Sequence, residues 1–453
     1  MPESYPRVLV LNGSAFGGHS ATAVTLTNLF QGWPSERLAL AHLDEQASNP
    51  GGGLCRRVWH LSLADVPVYR AVRKLLGRHR ERVVGWAAPG MPGGLGASSG
   101  GSAVTWRSRV HGVASAWADL LPLYPPPAFW AWVAEFQPEV IYSVLGSTRM
   151  LGLVRRLAVR FDVPVVPHFM DDWPATHYRG WANYIPRKAL LARLRSVIEG
   201  APVGMSIGPA MADEYQQRYG IRFQAFMNCV EAPPECPTGE SGQASSPLKF
   251  VYIGGLHLNR WQSLQDIGKA LLALCAEGCA AELVVHAPAG DLAQYGGDLA
   301  AIGTVRLGGA LRQDGVALAM RNADVLVHVE SFEPRVRDYT RLSLSTKLPQ
   351  YMVCGKPILA YGPGDLASCR YIQDCQCGVV VGEQNANLLL EAVRSLAGDP
   401  QRRARLGRRG WKEARENHRS SVVRERFRSV LADAASRAVG RSRWIRPTLA
   451  QAQ

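Results

Sequence analysis

Several features that mark membrane or secreted proteins are missing from this chain of 453 residues. No apolar run reaches the ~18 residues of a membrane-spanning helix, and the longest candidate, residues 120–134, contains four prolines. The first residues lack the cationic stretch and apolar core of a signal peptide. We therefore expect a cytoplasmic protein that is at most peripheral on the inner face of the membrane.

Metal-binding and disulfide patterns of cysteine are also absent. The nine cysteines are scattered, and they form neither a CxxC pair nor a Cys/His set with zinc spacing. Free thiols in a reducing compartment are the better interpretation. Hydrophobic residues make up 47% of the chain, which excludes a disordered protein and fits two or three globular domains at this length.

Positive charge is in excess, but it is confined to two segments. The formal net charge is +14, while residues 68–86 alone carry six cations and one anion and residues 401–446 carry fifteen and four. Apolar residues recur at helical spacing within 68–86, which predicts a basic amphipathic helix suited to an anionic membrane surface. An ordinary surface helix with a solvated basic face is the alternative. No helix-turn-helix, RNP or zinc-finger signature is present, so we expect no nucleic-acid partner.

Apolar runs of strand length alternate with segments of helical period along most of the chain. Strands are predicted near 7–11, 37–42, 57–61, 139–144, 163–168, 203–207, 248–253, 282–287, 304–307, 324–329, 357–361 and 378–381. Continuous apolar strands separated by helices are typical of parallel sheets covered on both faces. The fold class is therefore α/β, with two doubly wound Rossmann-like domains and ligand sites at the carboxyl ends of the strands.

Two breaks in this alternation suggest boundaries. Residues 232–247 are rich in Pro, Gly and Ser and are predicted to link an N-terminal domain (1–231) to a second domain (248–418). A C-terminal helix and basic tail occupy 419–453. Residues 85–104 contain seven glycines and no charge, which predicts a flexible loop that either closes over an acceptor or is a surface insertion without function.

The first candidate phosphate site follows the first strand of the second domain. Gly254 and Gly255 allow a close approach of the backbone to phosphate oxygens, and Arg260 can bind them in a bidentate manner. An ordinary tight turn is the alternative, because many strand-to-helix loops contain two glycines.

The second candidate site is the segment Ser345-Thr346-Lys347. Ser345 and Thr346 are good N-cap residues, and Lys347 is expected in the first turn of a helix over 345–354. A cation there opposes the helix dipole, which favours a bound anion. The alternative is a capped helix with a solvated lysine.

Several motifs in order over 248–398 resemble the donor domain of GT-B glycosyltransferases, most closely the retaining family 4 group. They are the Val-Arg-Leu-Gly308 strand, the Ala-Asp strand that leads to Glu330 and Ser331, and the Cys-Gly-Lys-Pro end of the helix after Lys347. The resemblance implies the GT-B fold, with two domains facing across a cleft and a C-terminal helix crossing back. It also implies a nucleotide-sugar donor bound by Gly308, Glu330 and the two phosphate sites.

The chain departs from the family pattern at charged positions. The usual arginine falls on Gly255, the usual lysine on Arg260, and the usual pair of glutamates on Leu342 and Gln350. Recognition of the donor therefore shifts to Ser345, Thr346 and Lys347, while Gln350 can still hydrogen-bond a hydroxyl group.

The N-terminal half resembles the acceptor domain of the family more loosely. Gly17 and Gly18 open the first helix, as a glycine pair does in the family, and are assigned to donor binding.

His168 ends a strand that is followed by Asp171 and Asp172. The resemblance places His168 facing the sugar; a buried, satisfied histidine is the alternative. Adjacent strand side chains point to opposite faces, so we expect one Asp to orient the acceptor and the other to cap a helix, with no required metal and no cofactor.

Together with the resemblance, these observations predict a glycosyltransferase that moves a hexosyl or related sugar to a glycan or lipid-linked acceptor, in bacterial cell-surface polysaccharide synthesis. Retention of configuration is implied by the resemblance alone. The catalytic candidates are His168, Asp171, Arg260 and Lys347. The basic segments 68–86 and 401–446 are expected to contact an anionic membrane. A nucleotide-sugar epimerase of GT-B fold and a non-catalytic binding protein are the alternatives, the latter supported by the missing glutamate pair.

Overall fold

The structure is a computed structural model that describes residues 5–18, 20–45, 49–62, 65–66, 106–237 and 247–438. The predicted basic helix at 68–86 and the predicted loop at 85–104 lie outside these residues. So do most of the segment 232–247 and the end of the basic tail.

The described residues form two compact units. Unit 1 comprises the residues up to Met227 together with those from Val423 on, and unit 2 comprises Asn228–Val422.

Unit 1 is built on a parallel sheet of seven strands. They are β1 Val8–Asn12, β2 Leu38–His42, β3 Arg57–His60, β4 Val140–Ser143, β5 Val165–Phe169, β6 Gly204–Ser206 and β7 Phe223–Ala225. Their order in the sheet is β3-β2-β1-β4-β5-β6-β7. The sheet reverses its order beside β1, which pairs in parallel with β2 on one side and β4 on the other.

The described helices of this part of the chain are α1 Ala21–Phe30, α2 Trp106–Ala118, α3 Pro127–Phe136, α4 Thr148–Phe161, α5 Trp173–Thr176, α6 Tyr184–Glu199 and α7 Pro209–Tyr219. Short 3-10 turns lie at Ser35–Arg37 and Trp181–Asn183. Helix α3 was not predicted, because its start lies in a proline-rich run. Pro127 is nevertheless well suited to the first helical position, where its missing N–H is not needed.

Unit 2 is built on a second parallel sheet, of six strands. They are β8 Leu248–Ile253, β9 Ala281–His286, β10 Val305–Leu307, β11 Val325–Val329, β12 Ile358–Tyr361 and β13 Gly378–Val381. The order is β10-β9-β8-β11-β12-β13, so the reversal lies between β8 and β11.

Its helices are α8 Arg260–Ala276, α9 Ala289–Ala300, α10 Gln313–Arg321, α11 Pro334–Thr340, α12 Leu348–Val353, α13 Ala367–Asp374, α14 Ala386–Gly398 and α15 Pro400–Asn417. Helix α9 was missed by the sequence analysis because it contains three glycines. One of them lies close to a neighbouring strand: a Cβ on Gly296 would lie 3.0 Å from the end of the Leu307 side chain.

The two sheets form because their central strands are apolar on both faces. All five residues of β1 and all five of β11 are buried. Strands of this kind are stable only where helices cover both sides of the sheet. The strand–helix alternation predicted from the sequence is confirmed in both units.

The last helix, α16 Ser420–Ala438, belongs to unit 1 from Val423 on. Phe427 has no exposed surface, and its ring packs against the rings of Phe30, Tyr142 and Phe226 with centroids 5.0, 5.6 and 5.5 Å away. The predicted C-terminal helix therefore becomes part of the core of the first unit.

All nine cysteines are free thiols. Among the described residues, no helix combines the length and the hydropathy needed to cross a membrane.

Replacing Phe427 by Ala should lower the free energy of unfolding by about 3–5 kcal/mol, because the change removes a fully buried ring from an aromatic cluster. Denaturant unfolding followed by circular dichroism measures the loss. Val159→Ala, at an exposed position of α4, is the control and should change stability by less than about 0.5 kcal/mol. A loss of equal size in both variants would contradict the proposed role of the aromatic cluster.

Candidate functional site

In a doubly wound sheet, ligands bind at the carboxyl ends of the strands where the strand order reverses. In unit 2 this point lies after β8 and β11, and in unit 1 it lies after β1 and β4. Polar residues gather at both places.

In unit 2 the central feature is an ion pair between Arg260 and Glu330. One terminal nitrogen of Arg260, the first residue of α8, lies 3.2 and 3.1 Å from the two carboxylate oxygens of Glu330. Glu330 directly follows β11 and is buried. The backbone N–H of Glu330 donates to Tyr361, and its carbonyl accepts from the hydroxyl of Ser263, so its position is fixed.

Lys347 adds a second cation that lacks such a partner. Among the described residues it forms no salt bridge, and Glu330 acts on it only through longer-range electrostatics. Burial, and then the charge of Arg260, lower the pKa of Lys347 to about 8. A lysine in this position gains from a nearby anion, because the anion restores the stability of its charged form.

His328 lies beside the ion pair of Arg260 and Glu330 and stays neutral. Its Nε2 atom is 3.6 Å from Glu330 and has no hydrogen-bond partner in the described structure. Burial lowers the pKa of His328 to about 4, against the opposing effect of Glu330. At neutral pH the carboxylate of Glu330 is therefore balanced by Arg260 and not by an imidazolium.

The loop between β8 and α8 is shaped by Gly254 and Gly255, whose approach to phosphate oxygens stays a prediction. A Cβ on Gly254 would lie 2.6 Å from the hydroxyl oxygen of Tyr252, and one on Gly255 would lie 2.3 Å from the ring of His257. The Tyr252 hydroxyl donates to the carbonyl of Gly255 over 2.6 Å. The loop is thus held against its own strand.

The same loop ends in two consecutive residues with left-handed backbone conformation. Leu258 and Asn259 have φ of 59° and 57°. Asn is often found in this conformation, but a buried Leu is not, and such strain is concentrated at functional sites. Helix α8 then begins with no acidic residue in its first turn and no side-chain cap, so no carboxylate of its own offsets the positive end of the helix dipole.

The prediction for the segment Ser345-Thr346-Lys347 was wrong about the helix. Helix α12 begins only at Leu348, is six residues long and has Lys347 in its N-cap position. The N–H of Leu348 bonds to the carbonyl of Ser345, which closes a turn before the helix. The Thr346 carbonyl accepts from Asn228 over 2.9 Å. Lys347 is therefore positioned by this turn, and the dipole of so short a helix does not account for its role.

The remaining predicted donor residues have simpler surroundings. Gly308 lies against the ring of His286, since a Cβ there would be 2.2 Å from the ring. Gln350 is a partly exposed residue of α12, whereas Leu342 is buried. An apolar core residue therefore occupies one of the two positions where the family has a carboxylate, and Glu330 is the carboxylate present beside Arg260.

In unit 1 a pocket lies at the predicted reversal point. It has about 440 Å³ of free space, part of it open to solvent. It is lined by the residues after β1, β4 and β5 together with one residue of α1: Asn12, Gly13, Ser14, Thr22, Val144, Leu145, Gly146, Met170, Asp171 and Trp173.

The loop after β4 also carries backbone strain. Leu145 is buried and has a φ of 64°, which is unfavourable for a bulky side chain. Its N–H donates to the hydroxyl of Ser143 over 3.0 Å. Each unit thus has a buried leucine in the left-handed region at its own reversal point.

The prediction that His168 faces a sugar was wrong. Its ring has no exposed surface, and Nδ1 lies 2.5 Å from the Tyr142 hydroxyl. Burial lowers the pKa of His168 to about 3, so the ring is a neutral part of the interior. Strand β5 is buried at all five residues, and His168 lies one residue before its end.

Asp171 and Asp172 have different roles. Asp171 lines the pocket, whereas Asp172 is buried and accepts from Tyr215 and Arg218 over 2.8 and 2.9 Å. Asp172 precedes α5 but makes no side-chain cap, so the predicted capping role was wrong; a buried carboxylate is instead balanced by a guanidinium.

Gly17 and Gly18 lie near this pocket in sequence but do not line it. The N–H of Gly17 donates to the hydroxyl of Thr27, and its φ of 68° is a left-handed conformation that suits glycine. Of the first pocket residues, Asn12 ends β1 and Gly13 and Ser14 follow it, so they could have been found from the strand end.

Sequence reasoning also missed His328, His257 and Asp291 near the cation cluster. No motif identifies them: His328 lies on β11, Asp291 lies on α9, and His257 lies in the loop before α8. Among the described residues, no group of three or more His, Cys, Asp and Glu side chains is arranged to hold a metal ion.

Binding of inorganic pyrophosphate should weaken as the pH rises from about 7 to about 9.5, because Lys347, with its pKa of about 8, loses its charge over this range. Pyrophosphate itself gains negative charge over the same range, so a loss of affinity must come from the protein. Isothermal titration calorimetry measures it. In Lys347→Arg the cation stays charged, and the affinity should not fall. An equal fall in both proteins would exclude Lys347 as the titrating group.

No protein-family model and no curated protein sequence matches the chain. Solved structures do match it over nearly their whole length. HepE from Anabaena, determined with UDP and glucose, is 13% identical, with 94% of this chain and 100% of that chain covered and a TM-score of 0.59. Sucrose-phosphate synthase from Thermosynechococcus elongatus is 12% identical, with 95% and 100% covered and a TM-score of 0.58.

WaaG, a glycosyltransferase involved in lipopolysaccharide biosynthesis, is 12% identical, with 93% of this chain and 99% of that chain covered and a TM-score of 0.54. At these identities the likeness establishes architecture alone. Together with the two parallel sheets and their strand orders, it shows that the chain has the GT-B fold, as the sequence predicted.

Proposed function

We propose that the protein is a glycosyltransferase that moves a hexosyl or related sugar from a nucleotide-sugar donor to a glycan or lipid-linked acceptor. The observation that carries the proposal is the pair of cations, Arg260 and Lys347, beside the glycine loop at the reversal point of the unit 2 sheet. A diphosphate is the anion that matches these two cations and the N-terminus of α8.

The similar structures support this choice of donor. HepE was determined with UDP and glucose, so UDP is the first nucleotide to test. WaaG is described as acting in lipopolysaccharide biosynthesis, which supports a surface glycan as the product. Retention of configuration follows only from the resemblance to the family 4 enzymes.

In this proposal the chemistry of unit 2 is mainly electrostatic. Arg260 and Lys347 stabilise the negative charge that develops on the departing diphosphate, and they are positioned before the reaction begins. Glu330 holds Arg260 in place and accepts a hydroxyl hydrogen bond from the donor. Gly308 and His286 border the region assigned to the base.

In unit 1 the pocket after β1 and β4 is assigned to the acceptor. Asp171 is the carboxylate in its lining and would accept a hydrogen bond from the acceptor hydroxyl. His168 has no part in this step, because its ring is buried. The reaction is proposed to need no metal, so activity should persist in EDTA.

We also propose that the protein works at the inner face of a membrane, where a lipid-linked acceptor would be found. The described part of the basic tail supports this. On α15, four cations are exposed at helical spacing, and we call them the cationic face: Arg405, Arg408, Arg409 and Lys412. Two of them have acidic partners, since Arg405 is paired with Asp399 and Lys412 with Glu416. The predicted basic helix at 68–86 lies outside the described residues.

Lys347→Ala should weaken UDP binding by about tenfold or more, because a charge-assisted contact to phosphate contributes about 1.5–3 kcal/mol. The melting temperature should be nearly unchanged, since Lys347 forms no salt bridge within the described part of the chain. Isothermal titration with UDP, and with GDP for comparison, measures the affinity.

Lys269→Ala is the matched control, because Lys269 is an exposed lysine of α8 in the same unit. It should bind UDP as the wild type does. Wild-type affinity in Lys347→Ala would remove the observation on which the donor site rests.

The transferase itself is tested by the release of UDP from UDP-sugars, first selected by thermal shift. Release should depend on an added lipid-linked glycan fraction and should fall in Asp171→Asn without loss of UDP affinity. Conversion of the sugar without an acceptor would indicate the epimerase. Binding without any turnover would support the non-catalytic alternative, which the loss of the glutamate pair at Leu342 and Gln350 favours.

A further inference from the structure

Unit 1 exposes a group of large apolar side chains that its fold does not use. Trp181 is 93% exposed, Tyr184 66% and Ile185 55%, all at the start of α6. Trp117 of α2 is 43% exposed and donates from its indole N–H to the carbonyl of Ala182. These four residues, which we call the aromatic patch, are therefore neighbours on one surface.

Helix α6 buries one apolar side and exposes further apolar residues among the cations Lys188 and Arg195 on the other. Its inner side chains Leu190, Leu194, Val197 and Ile198 are buried in unit 1. Its outer side carries Tyr184, Ile185 and Leu191, where a surface helix normally has polar residues. Contiguous apolar surface of this kind usually marks an interaction site.

Cations predominate in the described segment that carries most of the aromatic patch. Residues 173–198 contain five cations and no carboxylate, and one of these cations, Arg195, is paired with Glu199 just after the segment. Arg179 and Lys188 are exposed beside the patch, and Lys188 follows Tyr184 by one helical turn. The surface thus combines exposed Trp and Tyr side chains with cations. Its partner must offer apolar groups to the aromatic side chains and anionic groups to the cations.

We infer that the aromatic patch inserts into the interface of an anionic lipid bilayer. Trp and Tyr have an apolar body and a polar edge, and they are enriched at the level of the lipid headgroups. Cations beside them contact the acidic headgroups, as in helices that lie in the membrane surface. A protein partner would need matching carboxylates, whereas a bilayer supplies both requirements at once.

Membrane contact through the aromatic patch should differ from contact through the cationic face of α15 in its dependence on salt. Attraction through charge alone disappears at high salt, because the Debye length falls to about 4 Å at about 0.5 M. Apolar insertion persists under these conditions. The inference does not depend on the transfer reaction, since vesicle binding is measured without donor or acceptor.

The test is co-sedimentation of the full chain with vesicles of phosphatidylcholine that contain about 30 mol% phosphatidylglycerol. The triple variant W181Q/Y184Q/I185Q should lose about tenfold or more of its partition coefficient at low salt and all detectable binding at about 0.5 M salt. The wild type should retain part of its binding at high salt and bind pure phosphatidylcholine more weakly.

Two control variants separate the mechanisms. L272Q/L318Q/L388Q changes three exposed leucines on helices of unit 2 and should bind as the wild type does. R408Q/R409Q on α15 should weaken binding at low salt and leave the salt-resistant part unchanged. Circular dichroism and melting temperature establish that each variant is folded. If the triple variant is not, the single variant W181Q, which changes a side chain that is 93% exposed, should lose most of the salt-resistant binding.

Three results would overturn the inference. The first is a wild type that does not bind anionic vesicles. The second is a triple variant that binds them as strongly as the wild type at both salt concentrations. Alternatively, light scattering would show a wild-type dimer that the triple variant converts to a monomer, which would make the patch a contact between copies of the chain.

Discussion

The constraint on which this structure depends is the burial of parallel strands on both faces. Strands β1 and β11 expose no residue, so helices must cover each sheet on both sides. Polar side chains that interact with ligands are then excluded from the sheet and gather after the strand ends. Where the strand order reverses, the two neighbouring loops separate and leave a crevice. Both candidate sites lie at such points.

Backbone strain marks the same two places. Leu145 and Leu258 are buried leucines with φ near 60°, a conformation that costs about 1–3 kcal/mol for such side chains. The surrounding packing must hold each loop in this form. Because one strained leucine follows the central strand pair of each unit, the strain is associated with the geometry of the reversal point rather than with one particular ligand.

Electrostatics distinguishes the two sites. In unit 2, a buried carboxylate balances Arg260, whereas Lys347 has a lowered pKa and no salt bridge to any residue that the structure describes. An unbalanced, partly buried cation is unfavourable for the free protein and favourable for binding an anion. In unit 1, the buried carboxylate of Asp172 is balanced by Arg218, and the pocket holds Asp171 instead of a cation. The first site suits a phosphate and the second suits a hydroxyl group.

The sequence by itself determined the strands, because a strand buried on both faces is a continuous apolar run bounded by polar residues. It also predicted a phosphate site at Gly254, Gly255 and Arg260, since the glycines and the cation directly follow such a run. Side-chain direction could not be derived in this way: β5 is buried at every residue, so no alternation shows that His168 points into the interior. Only the tertiary structure decided that Lys347 lies in a turn, that Glu330 reaches Arg260, and that the outer side of α6 is left uncovered, because each depends on neighbours distant in sequence.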